Sequence, residues 1–378
     1  MGGVPQPRRV LFVFAWLVVG GEETEVQLLA RHLNANHYRL EVMACFRKGN
    51  MPEQTHRKLA QLGIPVDRTA YDLSSDQTID YLARKMVGYD VIVACQAVRE
   101  VYPALERMPP QCRPPLIEHG GLVSEALAGP KHLTARYVGV CASIRDAAAT
   151  VMPERASHAI EIPSMVDLSE FDPNQRATVR AEWGLPPGTP AVGWVGRLDR
   201  KKRVEDFIRA AALVRKFDPE ARFFVIGGPD AFMPEYEHEL RVLADHLGLR
   251  STLMFLGDRP DVPRLLSGLD LFVWLSHGEG MPHVISEAGV AKLPVISTCD
   301  NGTEEQITDG ETGLFVPHRD PSAVAAAIQT LIANPVLRQR LGSKLHRKVA
   351  REYSVTTLIP LWEMLFDELC ASCPLPGQ

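Results

Sequence analysis

The chain has 378 residues, about two to three times the common domain size of roughly 100 to 150, so two domains are expected. With 46% hydrophobic and 23% charged residues it reads as a folded protein with apolar surface for two cores, which excludes wholesale disorder, collagen and coiled coil. Its 41 basic against 46 acidic residues, a net charge of −5, argue against a general nucleic-acid binder.

Arg8 and Arg9 precede an apolar run from Val10 to Val19, a pattern that superficially matches a signal peptide. The run is too short to span a bilayer, and it ends in Gly20-Gly21-Glu22-Glu23 without a small-x-small cleavage pattern. Val26, Leu29, Ala30 and Leu33 then follow at helical spacing, so a buried strand, a glycine turn and a helix account for the whole segment. Strand-like runs recur at Leu40 to Phe46, Val91 to Cys95, Leu116 to Glu118 and Tyr137 to Cys141, the alternation of a parallel sheet wrapped by helices. Pro163, Pro173 and polar residues break the pattern between Ala159 and Pro173, which predicts the interdomain linker there.

The same grammar restarts with strands expected at 191–195, 222–226, 252–255, 271–275 and 294–297. Val204, Phe207, Ile208, Ala211 and Val214 form the buried stripe of a helix between the first two. The tail from Ser354 to Leu369 is helical in pattern, with Trp362, Leu365, Phe366 and Leu369 as its packing face and a kink or break expected at Pro360. The seven cysteines are scattered and odd in number, which disfavours a disulfide framework and suits a reducing cytoplasm. Cys370 and Cys373 form a C-x-x-C pair with no second pair, too little for a redox or zinc assignment.

Four segments stand out as carriers of chemistry. The first is Ser276-His277-Gly278-Glu279-Gly280-Met281-Pro282-His283-Val284-Ile285-Ser286-Glu287, which follows an apolar strand and opens a helix expected to begin at Pro282. Glu279 then lies in a loop at a strand's carboxyl end, Glu287 lies in the helix, and the amides at the helix start suit an anion or a sugar hydroxyl. A helix-capping carboxylate and a solvated glutamate fit the same residues equally well. The second is Val195-Gly196-Arg197-Leu198-Asp199-Arg200-Lys201-Lys202-Arg203, whose cations could neutralise a diphosphate. Arg200, Lys201 and Arg203 suit a solvated turn, whereas Arg197 follows the strand directly and is the better inward-facing candidate. The third is Gly20-Gly21, which resembles a phosphate or sugar cradle but lacks the G-x-G-x-x-G spacing and is followed by the repelling Glu22, Glu23 and Glu25. The fourth is Ile117-Glu118-His119-Gly120-Gly121, with His119 at a strand end beside two glycines.

Together these residues resemble the family 4 retaining glycosyltransferases of the GT-B fold. The resemblance rests on the E-x7-E pair Glu279 and Glu287, on Gly196-Arg197-Leu198 with Lys202, on Gly20-Gly21 and His119, and on Asp309-Gly310-Glu311-Thr312-Gly313-Leu314-Phe315-Val316-Pro317. The segment Ile162 to Phe171 looks like that family's crossover. The likeness is ordered in the second half and weaker in the first. Ser164 and Met165 depart from the usual Asn and Gly, and Arg203 and Lys292 stand where glycine is frequent. For Lys292, capping of the preceding helix is the favoured role.

The resemblance implies an α/β protein of two Rossmann-like domains with parallel sheets facing an interdomain cleft. Residues 1–165 would form the acceptor-side domain, joined by a C-terminal helix at 360–378, and residues 166–359 the donor-binding domain. It implies transfer of a sugar from a nucleotide diphosphate sugar to an acceptor hydroxyl with retention. The catalytic set would be Glu279, His119, Arg197 and Lys202. The donor-binding set would be Gly20, Gly21, Arg197, Lys202, Glu279, Gly280, Met281, His283 and Glu287. In this reading Arg197 and Lys202 hold the diphosphate, Glu287 the ribose, and Glu279 and His119 the sugar. The acceptor is left as a saccharide, a lipid-linked group or a small molecule. No nucleic-acid partner is expected, and the location expected is the cytoplasm, with peripheral contact at the inner face of the membrane left open. No cofactor or metal is expected: no two aspartates are spaced i, i+2, and Asp309 and Glu311 are the fallback ligands. The alternatives are a GT-B sugar phosphorylase and a catalytically silent sugar-binding protein.

Overall fold

The computed structural model describes residues 6–371. The chain divides into two compact units, with boundaries at Ser164/Met165 and Ser354/Val355, the segment after Ser354 returning to the first unit.

The first unit is built on a seven-stranded sheet whose strands are β1 (Arg8–Trp16), β2 (Tyr38–Phe46), β3 (Val66–Asp67), β4 (Val91–Cys95), β5 (Leu116–Gly120), β6 (Thr134–Gly139) and β7 (Ala159–Glu161). The spatial order is β3-β2-β1-β4-β5-β6-β7, and every pairing is parallel. The central strand β1 is apolar from Val10 to Phe14 because helices cover a parallel sheet on both faces, leaving no solvent side for polar residues. Strand order reverses between β1 and β4, so the loops after these two strands part and open a crevice at their carboxyl ends.

Three differences from the sequence expectation bear on the architecture. The Ala159–Glu161 part of the expected linker is strand β7, paired with β6, because Pro163 and Pro173 lie beyond it and cannot interrupt it. Strand β5 runs on to Gly120, which places His119 inside the strand, paired with Cys95 of β4. The C-terminal helix is continuous over Val355–Ala371 and passes through Pro360 without the expected break. Proline there forfeits about one backbone hydrogen bond, while Trp362, Leu365, Phe366 and Leu369 all stay buried and hold the helix down. The tyrosine hydroxyl of Tyr38 donates to the Glu363 carbonyl at 3.2 Å, and Arg8 and Arg136 pair with Asp367 and Glu368 on the same helix. The last residues of the expected 360–378 segment, Cys373 among them, lie outside the described residues.

The second unit carries a six-stranded parallel sheet: β8 (Ala191–Val195), β9 (Arg222–Ile226), β10 (Leu253–Gly257), β11 (Leu271–Trp274), β12 (Val295–Thr298) and β13 (Gly313–Val316), in the order β10-β9-β8-β11-β12-β13. Its order reverses between β8 and β11. Trp194 of β8 and Trp274 of β11 stack with ring centroids 5.9 Å apart beneath that point, both buried. Both units therefore have the doubly wound topology expected, and each places its switch point at the loops the sequence singles out.

Among the described residues no helix is long and apolar enough to cross a membrane.

Candidate active site

The switch point of the second unit brings together two loops that are 77 residues apart in sequence. After β8 the chain turns through Gly196 and Arg197 to Asp199, whose side chain caps a 3-10 turn, Arg200–Lys202, by accepting from the Lys201 amide at 2.8 Å. After β11 it passes through Ser276 to Gly280, then enters the helix His283–Val290. The helix begins one residue after the expected start, with Pro282 as its cap at φ −66° and ψ 119°. The two loops are joined by His277 N donating to the Lys201 carbonyl at 3.0 Å, with Ser276 Oγ 3.2 Å from the same carbonyl.

Those joints set the geometry of the two charged groups. The ammonium of Lys202 donates to Glu279 Oε1 at 2.7 Å, and Ser276 Oγ donates to the same oxygen at 2.5 Å. Lys202 Nζ also stands 4.9 Å from the centroid of the Trp274 ring, a cation over a π face. Both partners of the ion pair are only 16% exposed. Burial pushes the Glu279 carboxyl up, but the charge of Lys202 and the hydrogen bonds from Lys202 and Ser276 outweigh it and hold the group below its ordinary value. Glu279 is thus a carboxylate at neutral pH.

The loop bearing Glu279 is held from β12 as well. Asp300 caps the helix Asn301–Gln306, and its Oδ2 accepts from the amides of Gly278 and Glu279, the latter at 3.1 Å. Asn301 donates to the Glu279 carbonyl at 2.7 Å, and Gly302 N donates to the Gly280 carbonyl at 2.9 Å. A side chain at Gly302 would not fit: its Cβ would lie 2.5 Å from the Gly280 oxygen.

Of the other expected residues, Arg197 sits at the end of β8 with Nε 2.6 Å from the buried carboxylate of Asp230, so its ion pair is with Asp230 rather than Glu279. His283 Nδ1 donates to the Met165 carbonyl at 3.0 Å. Met281 is buried beside Gly280, and Glu287 lies half-buried in the second turn of the helix. Arg203 and Lys292 both adopt left-handed backbone, φ 52° and 58°, which gives a reason for glycine to be favoured at such positions. Lys292 closes its helix through its backbone amide, which donates to the Gly289 carbonyl at 3.0 Å. Asp309 accepts from the Phe315 amide at 2.9 Å and Glu311 pairs with Lys344 at 3.4 Å, so both serve local structure.

Gly20, Gly21 and His119 belong to the first unit. Gly20 caps the helix Gly21–His32, and a Cβ there would lie 2.6 Å from Glu23 Oε2. Glu23 in turn accepts from the Val18 amide at 3.0 Å. His119 is buried, with Nδ1 3.7 Å from Glu22 Oε1 and its ring 5.6 Å from that of Trp362. Burial first, then the neighbouring carboxylates of Glu125 and Glu23, push the Glu22 carboxyl well up against a hydrogen bond from Gln96.

Sequence reasoning missed Ser276, Asp230 and Asp300. Asp300-Asn301 after an apolar strand is a helix-start signal that could have been read.

The fold is of the GT-B class. Anabaena HepE in complex with UDP-glucose superposes with a TM-score of 0.83 at 21% identity, covering 95% of this chain and 99% of that one. Sucrose-phosphate synthase from Thermosynechococcus elongatus gives 0.75 at 20% identity, covering 97% and 100%. Residues 175–347, nearly the whole second unit, match the model described as glycosyl transferases group 1. D-inositol 3-phosphate glycosyltransferase of Nocardia farcinica is 31% identical over 185 residues, 48% of this chain and 41% of the relative. That of Corynebacterium glutamicum strain R is 30% identical over 222 residues, 56% and 52%. The match thus spans about half the length of these curated relatives.

Proposed function

We propose that the protein is a retaining glycosyltransferase of the family 4 type, moving a sugar from a nucleotide diphosphate sugar to an acceptor hydroxyl. The observation that carries this reading is the Lys202–Glu279 pair, fixed at 2.7 Å at the carboxyl ends of β8 and β11, where open α/β sheets bind their ligands. Lys202 and Arg197 supply positive charge at the leaving diphosphate as the glycosidic bond breaks. Lys202 and Ser276 both use Oε1 of Glu279, and Oε2 would accept from the donor sugar's hydroxyls. The Gly280, Met281 and His283 amides add donors at the helix start, and Glu287 would accept the ribose hydroxyls. In this reading Gly20, Gly21 and His119 are the first unit's contribution. The nucleophile is the acceptor hydroxyl.

Transfer in this reading needs no divalent metal, because Arg197, Lys202 and the helix amides supply the positive potential a metal would give. Turnover should survive exhaustive chelation at fixed ionic strength. Loss in EDTA that magnesium or manganese restores, and monovalent salt does not, would contradict this point.

The donor is found by thermal shift against UDP, GDP, ADP and dTDP sugars, UDP-glucose first, since HepE binds it. A matched donor at about 100 times its Kd stabilises the fold by about 2.7 kcal/mol. No shift with any nucleotide sugar, together with a shift in glucose 1-phosphate, would turn the reading to a sugar phosphorylase.

A further inference from the structure

The first unit's switch point holds a donor set of a different chemistry. Cys95 is the last residue of β4 and His119 the fourth of β5, and the two are directly paired in register, so their side chains leave the sheet on the same face. Glu22, in the first turn of the Gly21–His32 helix, reaches the same spot from the loop after β1. One ligand atom from each, a thiol sulfur, an imidazole nitrogen and a carboxylate oxygen, lies within 4.8 Å of the others. The Glu22 side chain is only 10% exposed, yet its Oε1 has no hydrogen-bond partner, which is an unusual state for a buried carboxylate oxygen.

We infer that Glu22, Cys95 and His119 form a binding site for a thiolate-preferring divalent cation of the zinc type. Sulfur, nitrogen and oxygen in one set is the ligand chemistry of zinc rather than of magnesium or calcium, which take oxygen alone. Bonds of about 2.0 to 2.3 Å place tetrahedral ligands roughly 3.5 Å apart, so the observed spacing closes by about 1 Å through side-chain rotation. Three protein ligands leave a fourth position for water. Glu22 is the partly exposed member and marks the side from which the ion enters. On binding, the Cys95 thiol and a protonated Glu22 carboxyl give their protons to solvent and the ion takes their place.

The consequence is a brake. The transfer reading assigns the His119 imidazole to the donor sugar, and a bound ion withdraws it. Binding stands on the geometry alone, and inhibition rests on the transfer reading.

The test titrates metal-free protein with Zn2+ by calorimetry and with Co2+ by absorbance. It compares the wild-type chain, Cys95→Ser, Glu22→Gln, and a Cys370→Ser, Cys373→Ser double variant that removes the C-x-x-C pair as a competing site. The wild-type and double-variant chains should take up one equivalent with a sulfur-to-cobalt charge-transfer band. Cys95→Ser should lose the band, and both Cys95→Ser and Glu22→Gln should bind more weakly by about 10-fold or more. No tight equivalent in the wild type, or wild-type affinity in both single variants, overturns the site; should Cys95→Ser not fold, Glu22→Gln decides. With a turning-over donor, zinc should slow the wild type and spare Cys95→Ser, whose metal-free rate should stay at the wild-type level. Zinc bound without slowing overturns the brake. If no donor turns over, the transfer reading has failed and the titration still decides the metal site.

Discussion

Lys202 and Glu279 meet at 2.7 Å because β8 and β11 are neighbours at the point where the second unit's strand order reverses. The pair also organises its surroundings: Ser276 shares Glu279 Oε1, while Asp300 takes the amide of Glu279 and that of Gly278. The carboxylate's position is therefore set by β8, β11 and β12 together.

Gly302 packs closely against the backbone of the Glu279 loop. Gly302→Ala should displace the Gly280 carbonyl, since the new Cβ would lie 2.5 Å from its oxygen. Overpacking of this kind costs about 1 to 3 kcal/mol. Chemical denaturation should show that loss, and turnover should fall further than Gly280→Ala lowers it. An unchanged midpoint would show that the loop yields freely.

The Glu279 carboxyl lies below its ordinary value of 4.5 in the folded protein. A depressed carboxyl contributes stability that is full above the unfolded value and is lost as pH falls through the folded one. The second unit should therefore weaken below about pH 4.5, and Glu279→Gln should flatten that acid limb while lowering stability at neutral pH, where Lys202 loses its charged partner. Melting curves from pH 3 to 7 test this. Parallel acid limbs in the two proteins would mean that Glu279 is not held low.

Much of this was legible in the sequence because a parallel strand buried on both faces is a continuous apolar run; Val91–Cys95, Ala191–Val195 and Arg222–Ile226 fall where those runs predict. Strand β7 was not, because three residues before a proline carry too short a pattern to tell from a linker. Glu279 and Lys202 were each recognisable from motif and place, but their contact is a product of strand order, which no spacing encodes. Ser276 and Asp300 act through one oxygen each, and a serine or aspartate in a loop has many such uses. The convergence of Glu22, Cys95 and His119 was hidden for the same reason: a helix start and two neighbouring strands contribute one residue each.

Glu287 and Glu279 should separate by calorimetry. Losing a carboxylate that accepts ribose hydroxyls costs about 1.5 to 3 kcal/mol, so Glu287→Ala should weaken the free nucleoside diphosphate about 10- to 100-fold. Glu279→Ala should harm turnover of the whole donor more than it weakens the free nucleotide. Equal losses of nucleotide affinity in both would contradict this division.

The most direct test of the account is the turnover of the matched nucleotide sugar by the wild-type chain, Arg197→Ala and Lys202→Ala, each checked for native folding by circular dichroism. Positioned charge at a leaving group contributes about 3 to 4 kcal/mol in the transition state. Both variants should therefore fold and lose roughly two or more orders of magnitude in rate. Two folded variants turning over the donor at near the wild-type rate would contradict the assignment of this loop to the diphosphate.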